Sequence, residues 1–195
     1  MSLQERRARE REERHRLIVT AARELAEAEG WEAVTTRRLS ERVEYSQPVL
    51  YSHFKGKSAI VAAVAVEGFA ELADELRCVR AESAERPRVS LLALANAYLD
   101  FARRRPAVYE AMFVRQIDIT FGTQESPAPL KAAFGEFLAV VETIAGGRDP
   151  ELLTEVVWSA LHGLATLTEV DRLRPEHHRA RVDLLVSQLA EVPGS

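Results

Sequence analysis

A chain of 195 residues, 47% hydrophobic and 29% charged, has room for a small domain joined to a larger one and the composition of a soluble globular protein. Its one cysteine, Cys78, excludes an intrachain disulfide, and its basic N-terminus lacks the apolar core of a signal peptide. No stretch approaches the roughly 18 consecutive apolar residues of a membrane span, so no membrane partner and a cytoplasmic location are expected. The net charge of −4 is unevenly placed: residues 1–60 carry 12 Lys+Arg against 10 Asp+Glu, and the remainder 14 against 20. A basic head on an acidic body fits a localised nucleic-acid surface.

The stretch from Glu5 to Glu29 has neither Pro nor Gly and predicts one long helix. Its first part, RRAREREERHR, is charged on every face, so residues 1–12 are expected to be a solvated helix or a disordered arm. From there Ile18, Ala22 and Leu25 recur at helical spacing until Gly30 stops the helix. Thr35 and Thr36 offer a cap for a short helix carrying Leu39 and Val43. Ser46 offers a cap for another, with Pro48 in its first turn and Leu50 and Phe54 facing inward. A long helix begins near Lys57, with Val61, Ala65, Leu72 and Leu76 on one stripe, and ends at a polar break from Glu82 to Arg86. Pro87 opens a helix bearing Leu91, Leu94, Tyr98 and Ala102, and Pro106 a short one bearing Tyr109, Met112 and Phe113. Residues 115–129 read as a loop, Leu130–Ala145 and Leu152–Val170 as helices, and a last helix after Pro175 carries Val182, Leu185, Val186 and Leu189. With no strand-like alternation, the expected fold is all-α with about nine helices.

Two short helices joined by a tight turn and packed on a preceding helix make a helix-turn-helix, whose exposed second helix can enter a major groove. At 100° per residue, Pro48, Val49, Tyr51 and Ser52 face away from Leu50 and Phe54, and Gln47 stands at the helix start, where base contacts are usually made. Lys57 opens the next helix, where its charge and the free N–H groups together favour a phosphate.

The run TTRRLSERVEYSQPVLYSHFKGK, Thr35 to Lys57, resembles the DNA-binding signature of the tetracycline-repressor family. The resemblance implies that Arg37 and Gln47 touch base edges of a double-stranded DNA operator, with Pro48 and Ser52 lining the contact. It also implies that Thr36, Tyr51, His53 and Lys57 grip the phosphate backbone. The chemistry is apt, because Arg pairs bidentately with guanine and Gln with adenine, while hydroxyl, imidazole and ammonium groups position without reading sequence. One departure lies in the turn, where the family's usual Ala-Gly-Val is Val43-Glu44-Tyr45. A non-glycine residue with φ > 0 there costs on the order of 1 kcal/mol, so an altered turn is expected.

The division implied is a DNA-binding domain over residues 1–60 and a helical effector-binding and dimerisation domain over 61–195. Arg103–Phe113 resembles the regulator segment that bends beside the effector cavity, and Trp158–Leu167 resembles the Trp-x-x-x-His-Gly element of one subgroup. Tyr98, Phe101, Tyr109, Phe113, Phe137, Trp158 and His162 form the aromatic set from which a small-molecule pocket would be built. Gly163, costing about 1 kcal/mol relative to Ala in mid-helix, calls for the close approach of another helix. Leu161, Gly163 and Leu164, with Leu185 and Leu189 of the last helix, are the expected homodimer interface, a four-helix bundle across a twofold axis. His177 and His178 have no companions at metal-ligand spacing, and neither metal nor cofactor is expected. No nucleophile–base, paired-carboxylate or phosphate-loop constellation points to an enzyme. The reading is a ligand-responsive repressor; the competing one is a helical adaptor or activator without ligand-induced release.

Overall fold

A computed structural model describes residues 2–83 and 86–190, so Ala84 and Glu85 of the expected polar break lie outside the described residues. Among the described residues there is no strand, and the α-helices are α1 (Leu3–Glu29), α2 (Thr36–Arg42), α3 (Gln47–His53), α4 (Lys57–Ser83), α5 (Pro87–Arg104), α6 (Pro106–Phe113), α7 (Ala128–Val141), α8 (Pro150–Glu169) and α9 (His178–Ala190). The helices fall into two units. One takes Met1–Gly68 and Arg105–Glu125, the other Phe69–Arg104 and Ser126–Ser195. The compact units depart from the expected division at residue 60 in the place of residues 61–68 and of the segment 105–125.

In the first unit α1 is helical from Leu3 onward, so of the two expectations for the charged N-terminal stretch the structure has the helix over residues 3–12. The Ser2 hydroxyl accepts the Glu5 N–H (3.1 Å) and the Glu5 carboxylate accepts the Ser2 N–H (2.7 Å), a capping box. Arg6–Glu10 (3.0 Å) and Arg9–Glu13 (3.4 Å) add pairs one turn apart, each contributing a few tenths of a kcal/mol. From Ile18 onward the helix becomes core: Ile18, Val19, Ala22 and Leu25 are buried with Leu39 of α2, Leu50 of α3 and Ile60 of α4. Arg38 grips Glu29 with both terminal nitrogens (2.8 and 2.7 Å), and Arg42 reaches Glu24 (2.8 Å), fixing α2 along the end of α1.

Segment 105–125 joins this unit through α6. Arg105, its N-cap residue, makes no side-chain cap. The Glu27 carboxylate of α1 serves instead, accepting the N–H groups of Ala107 and Val108 (3.2 Å each) at the positive end of the α6 dipole. The Trp31 indole N–H donates to the Ala107 carbonyl (2.8 Å). Beyond α6, Arg115 pairs with Glu110 (2.8 Å) and Glu32 (2.7 Å) while lying over the Trp31 ring. Gly68 of α4 is the point of closest approach: a Cβ there would stand 2.6 Å from Val108 Cγ1 and 2.7 Å from Met112 Sδ.

In the second unit α5, α7, α8 and α9 bury Leu91, Leu94, Phe101, Val140, Val157, Leu161, Val182 and Val186 together. Glu136, with a side chain only 10% exposed, accepts from Arg80 (2.7 Å) and Arg77 (3.2 Å) of α4, so its charge is paired twice.

Gly68→Ala sets about 1 kcal/mol of helix propensity against about 1–3 kcal/mol of overpacking on a stiff valine. The clash should win and lower stability, measured by urea unfolding. Gly135→Ala in α7, where a Cβ meets nothing within 4 Å, should instead raise stability by up to about 1 kcal/mol. Equal changes at the two positions would contradict the packing described at Gly68.

Candidate DNA-binding surface and effector site

Thr35 Oγ1 accepts the Arg38 N–H (3.2 Å) and starts α2, as expected of a threonine cap. The helix ends without the expected alteration of its turn. Glu44 adopts the left-handed conformation (φ 57°), the Val43 N–H returns to Leu39 (2.9 Å) and the Tyr45 N–H to Ser40 (3.0 Å). That 6→1 bond is the Schellman closure, so a non-glycine residue bears the strain and the turn keeps its shape. Ser46 then opens α3 by position alone: its carbonyl accepts from Val49 and Leu50, but its hydroxyl makes no capping bond, contrary to the cap read from sequence.

Leu50 and Phe54 are buried as expected, and the His15 ring of α1 stacks on Phe54 at 4.5 Å. Gln47, Pro48, Tyr51 and Ser52 are exposed and Val49 is half-buried. Thr36 and Tyr51 meet hydroxyl to hydroxyl at 3.4 Å, which brings two of the expected phosphate-gripping groups together. The Ser52 hydroxyl donates to the Val49 carbonyl (2.6 Å), leaving its oxygen as an acceptor. Arg37 is 80% exposed and held only by Glu41, one turn away at 3.0 Å.

Lys57, half-buried, donates to the carbonyl of Trp31 and so uses one of its three N–H groups on the protein. His53 is also half-buried, and burial pushes its pKa below the usual histidine range, with the charges of Arg11, His15 and Arg14 adding to the shift. At neutral pH its imidazole is therefore an uncharged donor.

The aromatic set divides. Tyr98, Phe137, Trp158 and His162 form one contiguous group in the second unit: the Trp158 indole N–H donates to Tyr98 Oη (3.1 Å), Phe137 meets Tyr98 edge-on (5.9 Å) and His162 stacks on Trp158 (5.7 Å). Burial lowers the His162 pKa, so this imidazole too is neutral at pH 7. Phe101 is buried in the same unit, whereas Tyr109 and Phe113 pair with each other in the first, at 4.9 Å.

Leu161, expected at a subunit interface, is wholly buried inside its own unit. The exposed apolar stripe of α8 is Leu152, Val156 and Leu167, extended by its C-cap residue Val170, with exposed Leu184 on α9; Gly163, Leu164, Leu185 and Leu189 are half-buried. Residues 152, 156, 163, 167 and 170 share one face at 100° per residue, and a Cβ at Gly163 would meet nothing within 4 Å. The partner helix expected to approach Gly163 is thus absent from the described residues of its own chain. The signal that marks this stripe was present in the i, i+4, i+11, i+15, i+18 spacing, but α8 is apolar on several faces and periodicity alone does not say which is outermost. Among the described residues no group of three His, Cys, Asp or Glu is placed to hold a metal, and no helix is long and apolar enough to cross a membrane.

A three-helix head with α3 exposed behind a closed turn is the helix-turn-helix of a DNA-binding transcriptional regulator. Residues 18–64 match the bacterial regulatory proteins of the tetR family, and residues 91–189 match the tetracyclin repressor-like C-terminal domain. The chain belongs to the tetR family. It is 37% identical over 103 residues to the uncharacterized HTH-type transcriptional regulator YobS of Bacillus subtilis (strain 168), covering 53% of each chain. It is 48% identical over 48 residues to the class C tetracycline repressor of Escherichia coli, covering 25% of this chain and 22% of that one. The chain therefore spans about half the length of YobS and less of the tetracycline repressor. Among solved structures, a protein of unknown function from Rhodococcus sp. RHA1 superposes with a TM-score of 0.75 at 24% identity, over 91% of this chain and 95% of that one. A tetracycline repressor variant from Acinetobacter baumannii AYE in complex with minocycline gives 0.65 at 22% identity, over 91% and 97%. These two likenesses are of fold.

Proposed function

We propose that the chain is a cytoplasmic repressor that binds a palindromic operator as a homodimer and is released by a small molecule. The observation that carries this reading is the pairing of an exposed α3 with an exposed apolar stripe on α8. A head that reads one half-site and a body that offers a self-complementary face together call for two heads on a twofold axis. In this reading Arg37 and Gln47 read bases, Pro48 and Ser52 line the contact, and Thr36, Tyr51, His53 and Lys57 hold phosphates. The division of labour is reading by residues 1–60 and effector binding with dimerisation by 61–195. Glu44 gives no support to an adaptor that has lost DNA binding, because its turn is closed.

The effector is a small apolar or amphipathic molecule that fits among Tyr98, Phe101, Phe137, Trp158 and His162. The Tyr98 hydroxyl and the neutral His162 ring supply its polar handles. To release DNA the molecule must favour one spacing of the two heads over the other. The helix α4, which gives residues 57–68 to one unit and 69–83 to the other, is the element through which the bias passes.

Three measurements test the parts. On the duplex that the purified protein selects from a random library, Arg37→Ala or Gln47→Ala should lose about 1–3 kcal/mol and much less on unselected DNA. Lys57→Ala should weaken both duplexes alike and flatten the slope of log affinity against log salt by roughly 0.9. Equal losses from all three variants would remove the distinction between reading and gripping.

For association, light scattering should give twice the mass of one chain, and Leu167→Arg on the α8 stripe should return it to one. A wild-type protein with the mass of a single chain at micromolar concentration contradicts the dimer.

For release, a compound found by thermal shift should displace the selected duplex from the wild type but not from Trp158→Ala. Displacement from both would place its site elsewhere.

A further inference from the structure

Where α1 leaves the three-helix head, the sign of its charges becomes segregated. At 100° per residue the face that buries Ile18, Ala22 and Leu25 continues toward the N-terminus as Gln4, Arg7, Ala8, Arg11, Arg14 and His15. No carboxylate falls on that arc: Glu5, Glu10, Glu12 and Glu13 lie around the rest of the helix. The sequence shows charge on every face, yet this face is purely basic. Arg6 and Arg9, on the other faces, are paired to Glu10 and Glu13. Arg7 and Arg11 are exposed and form no ion pair among the described residues, and Arg14 is held only by a 4.0 Å approach to Glu10.

The row is placed against the reading head. His15 stacks on Phe54, the residue that closes α3, so Arg11 and Arg7 follow one and two turns beyond the end of the recognition helix. The fields of Arg11 and Arg14 reach the His53 imidazole. From Arg7 to Arg14 the helix axis runs about 10 Å, roughly three base steps of a DNA strand at 3.4 Å each. A rigid helix bearing cations on the side of α3, continuous with the DNA-binding surface, complements a run of phosphates.

We propose that the Arg7–Arg11–Arg14 row of α1 is a second, sequence-independent DNA contact that grips phosphates flanking the base pairs read by α3. It rests on the reading that α3 enters the groove. The guanidinium groups add affinity and salt dependence but no base preference, and the segment keeps its helix without DNA.

The probe is the duplex selected from a random library by the wild-type protein, in two lengths: the protected core alone, and the core extended by one helical turn (about 10 bp) at each end. Arg7→Ala/Arg11→Ala should flatten the salt slope on the extended duplex by roughly 1.8 for each bound chain, at about 0.9 per cation, and leave the core duplex unchanged. Alanine is the best helix former, so α1 should stay folded, which circular dichroism checks. Arg7→Lys/Arg11→Lys should restore the slope. A wild-type slope for the alanine variant on both lengths overturns the proposal, and an equal loss on both overturns the flanking assignment. Failure of the wild type to retain any duplex overturns the α3 reading and this one with it.

Discussion

Two helices of seven residues each carry the reading surface, and helices of that length do not persist in water on their own. Their geometry is therefore lent to them by burial. Leu39, Leu50 and Phe54 are the residues through which it is lent, and all three are buried with Ile18, Val19, Ala22 and Leu25 of α1. Burying a leucine or phenylalanine contributes about 1.5–3 kcal/mol, and the three together outweigh the roughly 1 kcal/mol of a single capping bond several-fold. That ratio explains why the head tolerates two local departures. Ser46 makes no capping bond with its hydroxyl and Glu44 bears a left-handed backbone, yet α2 and α3 keep their register.

Because α1 carries the head, whatever fixes the far end of α1 also fixes the reading surface. That end is tied to α6 by polar groups that have no cheap alternative. The α6 N-terminus presents free N–H groups, and Glu27 satisfies two of them with one carboxylate. Glu27 is itself exposed, whereas the Trp31 indole N–H is buried, so losing its bond to Ala107 while Trp31 stays buried would cost about 1–3 kcal/mol. Gly68 adds a steric condition, since α6 sits too close to α4 for any side chain larger than hydrogen. Polar bonds and close packing thus make α1, α4 and α6 of the first unit one body rather than three independently mobile helices.

These features differ in how far they can be read from residue order. The inward faces of α1, α2 and α3 were legible because a helix with one apolar stripe has one way to bury it: Ile18, Leu39, Leu50 and Phe54 lie where their spacing puts them. The tie between Glu27 and Ala107 was not, because it joins residues 80 positions apart through backbone N–H groups that every residue has. In α8 the pattern was present but ambiguous. Leu161 and Leu167 sit on different faces of a helix that is apolar most of the way round, and only the position of α5 and α7 decides which is core. The seven aromatic residues were read as one set, but the chain distributes them over two units, and periodicity within a helix carries no information about that. The basic face of α1 was hidden for the opposite reason. Its composition is nearly balanced, and the segregation emerges only when the residues are placed on a wheel whose inward direction is already known.

A protein with a net charge of −4 that binds a polyanion has to do so through local charge. At physiological ionic strength the Debye length is about 8 Å, so exposed acids farther away than that are largely screened. Glu41 is the carboxylate that matters in this respect, because it holds Arg37. An exposed pair one turn apart is worth about 0.3–0.5 kcal/mol, whereas a bidentate contact from arginine to a guanine edge discriminates by about 1–3 kcal/mol. The comparison gives Glu41 a definite part in the proposed mechanism. In that mechanism it holds the guanidinium against α2 while no DNA is present, and it is too weak a partner to retain it when a base edge is offered.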